Sequence, residues 1–495
     1  MRDFSKSKLL ALRQCPKRLW LEINQPELRE DSAATQASFQ TGHQVGDIAQ
    51  HLYDPQGRGA LIDVQREGFD AAFARTTELI HSSDAPIFEA GFCAAGALAF
   101  ADVMLPLQHQ GKRVWRMVEV KSSTSLKDYH RDDVAVQAYV ARAAGVPLHA
   151  IAVAHIDNTW VYPGGGDYRG LLVEHDLTEE AFSRASEVQT WIQNARLVLA
   201  SKAPPAIETG VHCSQPYACG FQAHCGQDAV EPMHPVHWLP RIGAKAQALA
   251  DQGITELAEV PDEILNERQR RVKTHTLANS VFFDAAGAAA DLAVHTLPAY
   301  FLDFETAQFA VPLWVGTRPY QQHCFQFSLH KLSRSGALTH HEFLDTSGAD
   351  PAMPFAQALI AACGKRGPVF VYNAGFETGR MRELAQRHPA FASGLLAIID
   401  RVVDLLPIAR ERYYHPSQEG SWSIKKVLPA VVPELSYDNL DGVQDGGMAM
   451  QAFSEAIHPD TTPERKDQLA QQLRAYCQLD TYAMVRLWQV FAGRG

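Results

Sequence analysis

The sequence lacks three features that would place it in an obvious class. Its 495 residues include only 8 cysteines, too few for a disulfide-rich secreted scaffold. No apolar run approaches the roughly 18 residues of a membrane-spanning helix. The N-terminal segment has neither the apolar core nor the small-residue cleavage site of a signal peptide. We therefore expect a cytoplasmic protein with reduced thiols and no membrane partner.

An excess of positive charge is also missing. Lys and Arg number 45 against 56 Asp and Glu, a formal net charge of −11, so bulk charge does not indicate a nucleic-acid-binding protein. A metal-dependent nuclease nevertheless places carboxylates in its sites, and the acidic balance does not exclude that class. Apolar residues make up 46% and charged residues 20%, which is ordinary for a folded globular chain. At about 100–200 residues per domain, the length predicts two to four domains.

Strand and helix patterns alternate in two separate regions, which predicts an α/β fold. In the first region the predicted strands are IFEAGF, ALAFADVML, VWRMVEVKS and HAIAVAHI, with the helix DDVAVQAYVARAAG between the last two. In the second they are PAYFLDFET, CFQFSLHKL and GPVFVYNAG, with the helix PAMPFAQALIAACG. We predict α/β domains at 1–228 and 298–495. A helical spacer at 229–297 joins them; it is similar to a helix–hairpin–helix and is the most basic part of the chain.

An acid and a lysine lie two residues apart in the third strand of the first region. Glu119 and Lys121 therefore point to the same face of that strand. With Asp102 from the preceding hairpin, they suit phosphodiester hydrolysis. The acids would bind a divalent cation, and the lysine would position or deprotonate the attacking water. Taken alone, this spacing is also typical of solvent-facing strand pairs.

The surrounding residues resemble the RecB-like nucleases of the PD-(D/E)xK superfamily. The resemblance rests on the order of Asp102, Glu119-x-Lys121 on a strand, and Gln137-Ala-Tyr139 on the next helix. It implies that the aspartate, glutamate and lysine are catalytic and that the glutamine and tyrosine support them. Two further candidate helpers are His43 in GHQVGDIA and Glu89 in IFEAGF.

Cysteine spacing indicates a metal centre in the same region. Five residues separate Cys213 from Cys219 and Cys219 from Cys225, and Cys15 lies near the other end of the domain. Four thiolates suit either zinc or a [4Fe–4S] cluster. Cys15-Pro16 followed by three late cysteines resembles the iron–sulfur subgroup of RecB-like nucleases, which includes CRISPR-associated and AddB-type enzymes. That resemblance implies a structural [4Fe–4S] cluster, with zinc as the alternative. The cysteines predicted to be buried thiols are Cys93, Cys324, Cys363 and Cys477.

Acidic residues mark the second region. Asp303 and Glu305 share one face of a strand end, where two repelling carboxylates call for a cation. With Glu377, and with Tyr476 and Asp480 one helical turn apart, they resemble the tyrosine subtype of the DEDD exonucleases, which have a DnaQ-like, ribonuclease-H-like fold. The resemblance implies that the four acids hold two Mg²⁺ or Mn²⁺ ions and that the tyrosine orients the nucleophilic water. Glu377 stands where most relatives carry aspartate.

Asp404 lies between these motifs and has two interpretations, as a residue that supports the site or as a helix cap. Together, the resemblances suggest a bacterial family that fuses an iron–sulfur RecB-like nuclease to a DEDD exonuclease. They imply a metal-dependent nuclease that trims nucleic acid from its ends, with DNA preferred. An RNA-processing exonuclease, and a nucleic-acid-binding scaffold with degenerate sites, remain alternatives.

Overall fold

The computed structural model describes residues 3–227 and 232–494, and the chain divides into two compact units. The N-terminal unit comprises residues 1–229 together with 309–321, and the C-terminal unit comprises 230–308 and 322–495. Both units combine helices with a mixed sheet, which confirms the predicted α/β fold class. The predicted domain boundary at 228/229 falls outside the described residues.

The N-terminal unit contains a mixed sheet. Its strands are β1 (Phe4–Ser5), β2 (Ala60–Leu61), β3 (Ile87–Ala94), β4 (Ala97–His109), β5 (Lys112–Lys121), β6 (Leu148–Ile156) and β7 (Leu172–Asp176). The order is β2-β3-β4-β5-β6-β7, and β1 pairs with β4. The predicted hairpin is confirmed as the antiparallel pair β3–β4. β5 and β6 are parallel, so a crossover must connect them.

Helices cover this sheet. They are α1 (Lys6–Gln14), α2 (Pro16–Asn24), α3 (Ala33–Tyr53), α4 (Val64–Glu67), α5 (Phe69–Ser82), α6 (Asp128–Ala143), α7 (Thr178–Ser183), α8 (Ala185–Ala200) and α9 (Gln222–Gly226). The crossover helix is α6, whose apolar residues are buried with Trp115, Met117 and Ile151 in one core. This packing determines which side of α6 points toward the carboxyl end of β5.

The C-terminal unit contains a second mixed sheet. The strands of this unit are β8 (Phe282–Phe283), β9 (Ala299–Ala307), β10 (His323–Leu332), β11 (Leu338–Leu344), β12 (Val369–Val371), β13 (Val402–Asp404) and β14 (Tyr413–Tyr414). The main sheet has the order β11-β10-β9-β12-β13, and β8 pairs with β14 separately. β9 is central, antiparallel to β10 and parallel to β12. Almost every residue of β9 is buried or nearly so, as expected for a strand covered on both faces.

The helices of this unit are α10 (Ala244–Ala250), α11 (Glu267–Leu277), α12 (Ala285–Ala293), α13 (Ala352–Cys363), α14 (Gly375–Arg387), α15 (Pro389–Ile399), α16 (Leu405–Arg412), α17 (Ile424–Val431), α18 (Gly446–Ala456) and α19 (Pro463–Phe491). The segment predicted as a spacer, 229–297, is described from residue 232. Leu257, Val272 and Leu292 from this segment share a core with Phe301 of β9 and Trp488 of α19. Among the described residues, no helix combines the length and apolarity needed to cross a membrane.

Candidate functional site

Strand register brings the predicted acids of the N-terminal unit together. Val103 of β4 pairs with Val118 of β5, which makes Asp102 and Glu119 the next neighbours in the antiparallel ladder. Asp102 Oδ2 accepts a hydrogen bond of 2.6 Å from the Val120 amide. From α6, the Gln137 side-chain amide donates to the Glu119 carboxylate and, at 2.8 Å, to the Phe100 carbonyl. Asp102, Glu119 and Gln137 therefore form one buried group, and Lys121 ends the same strand.

Two lysines alternate with two acids at this site. Glu119 Oε1 accepts from Lys121 Nζ at 2.6 Å and from Lys6 Nζ at 2.7 Å, and both lysines also pair with Asp133 of α6. Burial opposes the charge of Glu119, which is 2% exposed, but the lysines outweigh burial and lower its pKa. Burial also opposes the charge of Lys6, yet Asp133 and Glu119 raise its pKa to about 12. The two lysines and the two acids therefore compensate each other's charge.

Two other carboxyl groups of this site, Asp102 and Glu89, have raised pKa values despite the nearby lysines. Burial and the nearby charge of Glu119 raise the pKa of Asp102 well above its ordinary range and that of Glu89 to about 7. Glu89 lies in β3 between residues that pair with Ala101 and Val103, so it comes beside Asp102. Its φ of +55° lies in the left-handed region, which is strained for a residue other than glycine. The structure therefore brings the predicted helper Glu89 to the acids.

Tyr139 and His43 lie elsewhere. Residues two apart on a helix point about 200° apart, so Gln137 and Tyr139 cannot face the same group. Tyr139 packs against the hydrophobic core, which does not fit the supporting role that the resemblance implied. His43 is exposed on α3 and is likewise away from the buried acids. The sequence motif thus places one of its two supporting residues, the glutamine, at the site.

The four predicted ligand cysteines line one small cavity. Cys15, at the junction of α1 and α2, meets Cys213, Cys219 and Cys225 there, together with Lys17 and Arg18. Cys15 and Cys213 are buried, whereas the other two are partly exposed. Burial raises the pKa of Cys219, and Arg18 acts in the opposite direction. The cations beside the cavity would stabilise thiolates there.

Hydrogen bonds hold the cysteine loop against α1. The Gln14 side-chain amide donates to three loop carbonyls, those of His212 and Tyr217 at 2.8 Å and that of Gln215 at 3.3 Å. Within the loop, the Cys219 amide donates to the Cys213 carbonyl at 2.8 Å.

The cysteine sulfurs are not tightly clustered. Within residues 3–227 and 232–494, no three of their sulfurs all lie within 4.8 Å of one another. A tetrahedral zinc site with Zn–S bonds of about 2.3 Å would hold its sulfurs about 3.8 Å apart.

The other four cysteines were predicted to be buried. Cys324, Cys363 and Cys477 are buried, but the prediction is wrong for Cys93, which is exposed near the end of β3. The alternation of β3 turns Cys93 outward while its neighbours face the core.

The predicted acids of the C-terminal unit come from three elements, β9, α14 and α19. β9 places Asp303 and Glu305 on one face, and α19 brings Asp480 against them. Burial first, and then the repulsion of Asp480, raise the pKa of both β9 acids well above their ordinary range. Burial likewise raises the pKa of Asp480 to about 6. In contrast to the N-terminal site, these carboxylates lack a matching set of cations.

A thiol also belongs to this site. Asp303, Glu305 and Cys477 can each present a ligand atom within 4.8 Å of the others. Cys477 was predicted only as a buried thiol. It lies three residues before Asp480 on α19, so the helical spacing alone could have placed both on one face. Tyr476 lies one helical turn before Asp480, and burial, followed by the charge of Asp480, raises the pKa of the Tyr476 phenol, which therefore keeps its proton.

Glu377 enters the site from the first turn of α14 and is only 2% exposed. Burial raises its pKa to about 8, and its Oε2 atom has no hydrogen-bond partner among the described residues. Its charge in turn raises the pKa of Asp303. A buried carboxylate oxygen without a partner is a costly arrangement that a bound cation would relieve.

Asp404 holds the turn from which α14 starts. Its carboxylate accepts from the amides of Asn373 at 2.9 Å and Ala374 at 3.0 Å, and it also caps α16 through the Leu406 amide at 2.9 Å. Asn373 has a left-handed φ of +87°. Both interpretations of Asp404 therefore apply, because the helix cap also fixes the segment that presents Glu377.

Two further residues of the site have no local sequence signal. The Tyr437 hydroxyl donates to the Asp480 carboxylate. Lys425 of α17 lies 5.5 Å from the Tyr437 ring and 5.2 Å from the Tyr476 ring, and its Nζ donates to the Gln444 carbonyl at 2.7 Å. Burial raises the pKa of Glu305 and Asp480, and the charge of Lys425 opposes that rise.

The basic side chains of the predicted helix–hairpin–helix segment contact the protein itself. Arg268 pairs with Glu411, and Lys273 pairs with Asp262 at 2.7 Å. Arg271 donates to the Glu411 carbonyl at 2.8 Å and stacks over Phe282. Arg268, Arg271 and Lys273 are therefore held by contacts within the protein, whereas Lys245 of the same segment is exposed.

Both units are of the mixed α/β class, and each gathers carboxylates at a strand end. A family described as a domain of unknown function (DUF2779) matches residues 300–423, a stretch that is therefore similar to that domain. The matched stretch contains Asp303, Glu305 and Glu377 and ends before Tyr476 and Asp480. Comparison of the chain with curated proteins finds no match.

Proposed function

We propose that this chain is a divalent-metal-dependent nuclease that trims nucleic acid from its ends, with DNA as the preferred polymer. One observation carries the proposal. Glu305, Glu377 and Asp480 are buried and Asp303 is partly buried; all four have raised pKa values, and one of their oxygens has no partner among the described residues. Such a group has little structural benefit without a cation.

The donor set of the C-terminal site fits Mg²⁺ or Mn²⁺. Carboxylate oxygens are hard ligands, which these ions prefer, and Asp303, Glu305, Glu377 and Asp480 would supply them. When bound, the ions would activate water and stabilise the leaving oxygen of a phosphodiester. Tyr476, held protonated one helical turn before Asp480, can donate a hydrogen bond to the attacking water and orient it. Lys425 offsets part of the negative charge from the opposite side.

The N-terminal site supports a second hydrolytic centre. Asp102 and Glu119 would hold a divalent ion, and Gln137 fixes the Glu119 carboxylate. Burial opposes the charge of Lys121, but Asp133 and Glu119 outweigh it and raise the pKa of Lys121. The lysine is therefore an ammonium group. This favours a role in positioning water and stabilising developing charge over a role as a base.

The cysteine cavity supports a structural [4Fe–4S] cluster. Cys15, Cys213, Cys219 and Cys225 would bind it, and the cluster would join the first helices to the late loop. Each cysteine of such a cluster binds a different iron, so the ligand sulfurs stand farther apart than around one zinc ion. Four thiolates also suit zinc, which stays the alternative.

The test is a cleavage assay on end-labelled single-stranded DNA and RNA with Mn²⁺, using protein purified anaerobically. Wild type is compared with Lys121→Ala and Asp303→Ala. Lys426→Ala and Asp460→Ala are matched controls, since both side chains are exposed and lie outside the acidic groups. We expect the wild type and both controls to cut, and each site variant to lose the products of its own site. The preferred polymer identifies the substrate.

A folded wild type with visible cluster absorption that cuts neither polymer would contradict the nuclease proposal. The same result combined with tight binding of either polymer would favour a nucleic-acid-binding scaffold. Preference for RNA over DNA of the same sequence would support the RNA-processing alternative.

A further inference from the structure

A second cavity lies in the N-terminal unit, next to the lysine–carboxylate group. It has a volume of about 560 Å³, within the range of about 300–1,000 Å³ that small-molecule sites occupy. Three elements form its walls: α1 with Leu10, the start of α6 with Tyr129, and the cysteine loop with Tyr217. None of the chemistry assigned above uses it.

Helical spacing places this cavity one turn from the candidate catalytic group along two helices. Leu10 follows Lys6 by four residues on α1, and Tyr129 precedes Asp133 by four residues on α6. Residues four apart lie on one face of a helix, about 6 Å along its axis. Since Lys6 and Asp133 both contact the group around Glu119, the cavity begins about one nucleotide away from it. The charges of Lys121 and Asp133 also act on the Tyr129 phenol.

The walls of the cavity are aromatic and nearly neutral. The Tyr129 ring meets Tyr217 edge-on at 5.7 Å, and the Arg18 guanidinium lies 5.1 Å from the Tyr217 ring. The charge of Asp132 is offset by Arg13 at 3.1 Å and Arg184 at 2.6 Å.

The charges at the start of α6 also nearly cancel. Lys127 and Asp128 are adjacent and of opposite sign. Aromatic rings with little net charge suit a flat, uncharged, polar-edged group better than a phosphate.

We propose that this cavity holds an unpaired nucleobase of the strand that is cut beside Lys121, stacked on the Tyr129 ring, with the nearly perpendicular Tyr217 ring as a second wall. The inference rests on the proposed nuclease function and adds a binding subsite to it. Because every base presents a π face, the subsite selects unpaired strands over duplexes without selecting a sequence. DNA and RNA bases both present this face, so binding of DNA and binding of RNA are measured separately.

The experiment measures equilibrium binding of fluorescently labelled single-stranded DNA and RNA by anisotropy, with Mn²⁺ omitted. The variants are Tyr129→Ala, Tyr129→Phe and Tyr217→Ala, and Phe39→Ala is the control, since Phe39 is an exposed aromatic residue on α3. Loss of stacking on one ring should weaken binding about 5- to 150-fold. Tyr129→Phe should bind like wild type. Visible absorption and melting temperature check that Tyr217→Ala keeps the loop between Cys213 and Cys219 intact.

A second measurement locates the base. Oligonucleotides with one abasic site at successive positions are bound by wild type and by Tyr129→Ala. We expect one abasic position near the cleaved bond to weaken binding to wild type but to leave binding to Tyr129→Ala unchanged, because the ring and the base then contribute to one contact. Binding of an intact duplex should be weak for all variants.

Unchanged affinity in both tyrosine-to-alanine variants would overturn the inference. An abasic penalty that is equal in wild type and Tyr129→Ala would overturn it as well. If Lys121→Ala abolishes cleavage while Tyr129→Ala cuts and binds like wild type, the nuclease proposal survives and the base subsite fails. A wild type that neither binds nor cuts either polymer would contradict both.

Discussion

Replacing Glu377 by glutamine should stabilise the metal-free protein at neutral pH. Burial is the main reason that the pKa of Glu377 rises from 4.5 to about 8. The folded protein then keeps a proton that the unfolded chain releases, so stability falls as the pH rises between these two values. From this shift we estimate a loss of about 3 kcal/mol at pH 7 and under about 1 kcal/mol at pH 5. Glutamine does not ionise and avoids that loss.

The expected effect is a melting temperature that rises with the substitution at pH 7 and barely changes at pH 5. For a unit of this size, about 3 kcal/mol corresponds to roughly 6–12 °C. Calorimetric scans with a chelator would compare wild type, Glu377→Gln and Glu377→Asp. Glu464→Gln is the matched control, because Glu464 also lies in the first turn of a helix but is exposed.

Addition of Mn²⁺ should reverse the order. Wild type should gain stability by binding the ion, whereas Glu377→Gln should gain less because it has lost a ligand. Glu377→Asp tests whether the shorter side chain still reaches the ion. The reasoning would be refuted if Glu377→Gln shifted the melting temperature equally at pH 5 and pH 7, or lowered it at both.

Three further predictions concern other residues of the two units. Gln14→Ala removes three hydrogen bonds to the cysteine loop, so a chelator should bleach the visible absorption of the cluster several-fold faster. Asp404→Ala removes a helix cap and should lower the unfolding free energy by about 1–2 kcal/mol, with Asp404→Asn affected less; calorimetry measures both. Lys425→Met removes a cation that opposes the rise in the pKa of Glu305 and Asp480, so protons should compete better with the metal ion. Titration calorimetry should therefore find weaker Mn²⁺ binding at pH 7 and recovery of the affinity as the pH rises. Unchanged affinity at pH 7 would contradict this role.

The strands and the acids on them could be predicted from sequence because their signals are local. Alternation places Glu119 and Lys121 on one face of β5, and Asp303 and Glu305 on one face of β9. Helical spacing likewise joins Tyr476 to Asp480. In each case two residues of the site lie within one element, so its geometry alone brings them together.

Residues that reach the site from distant elements could not be predicted in this way. Lys6 lies 113 residues before Glu119, and no local pattern connects them. Tyr437 and Lys425 are likewise held near Asp480 only by tertiary packing. Asp133 is different: it was not predicted, but it precedes Gln137 by one helical turn, so helical spacing could have placed both on one face.

Two residues show the limits of a motif. Tyr139 follows Gln137 closely in sequence, yet it points about 200° away around the helix and packs, partly buried, against the hydrophobic core. Cys93 lies in a strand of mostly buried residues, but β3 directs it outward. A motif fixes which residue types occur and in what order, whereas the direction of each side chain depends on the element that carries it.

The segment Phe309–Gln321 has a consequence for how the protein is made. It follows β9 in the chain but belongs to the N-terminal unit, where the Tyr320 hydroxyl donates to the Ser122 carbonyl and the Tyr162 amide donates to the Thr317 carbonyl at 2.9 Å. On the ribosome, the first unit therefore cannot complete its fold until residue 321 has emerged, well after its own sheet has been synthesised. A gene fragment that ends near residue 229 therefore lacks part of the N-terminal unit, whereas one that encodes 230–495 contains the whole C-terminal unit together with residues 309–321.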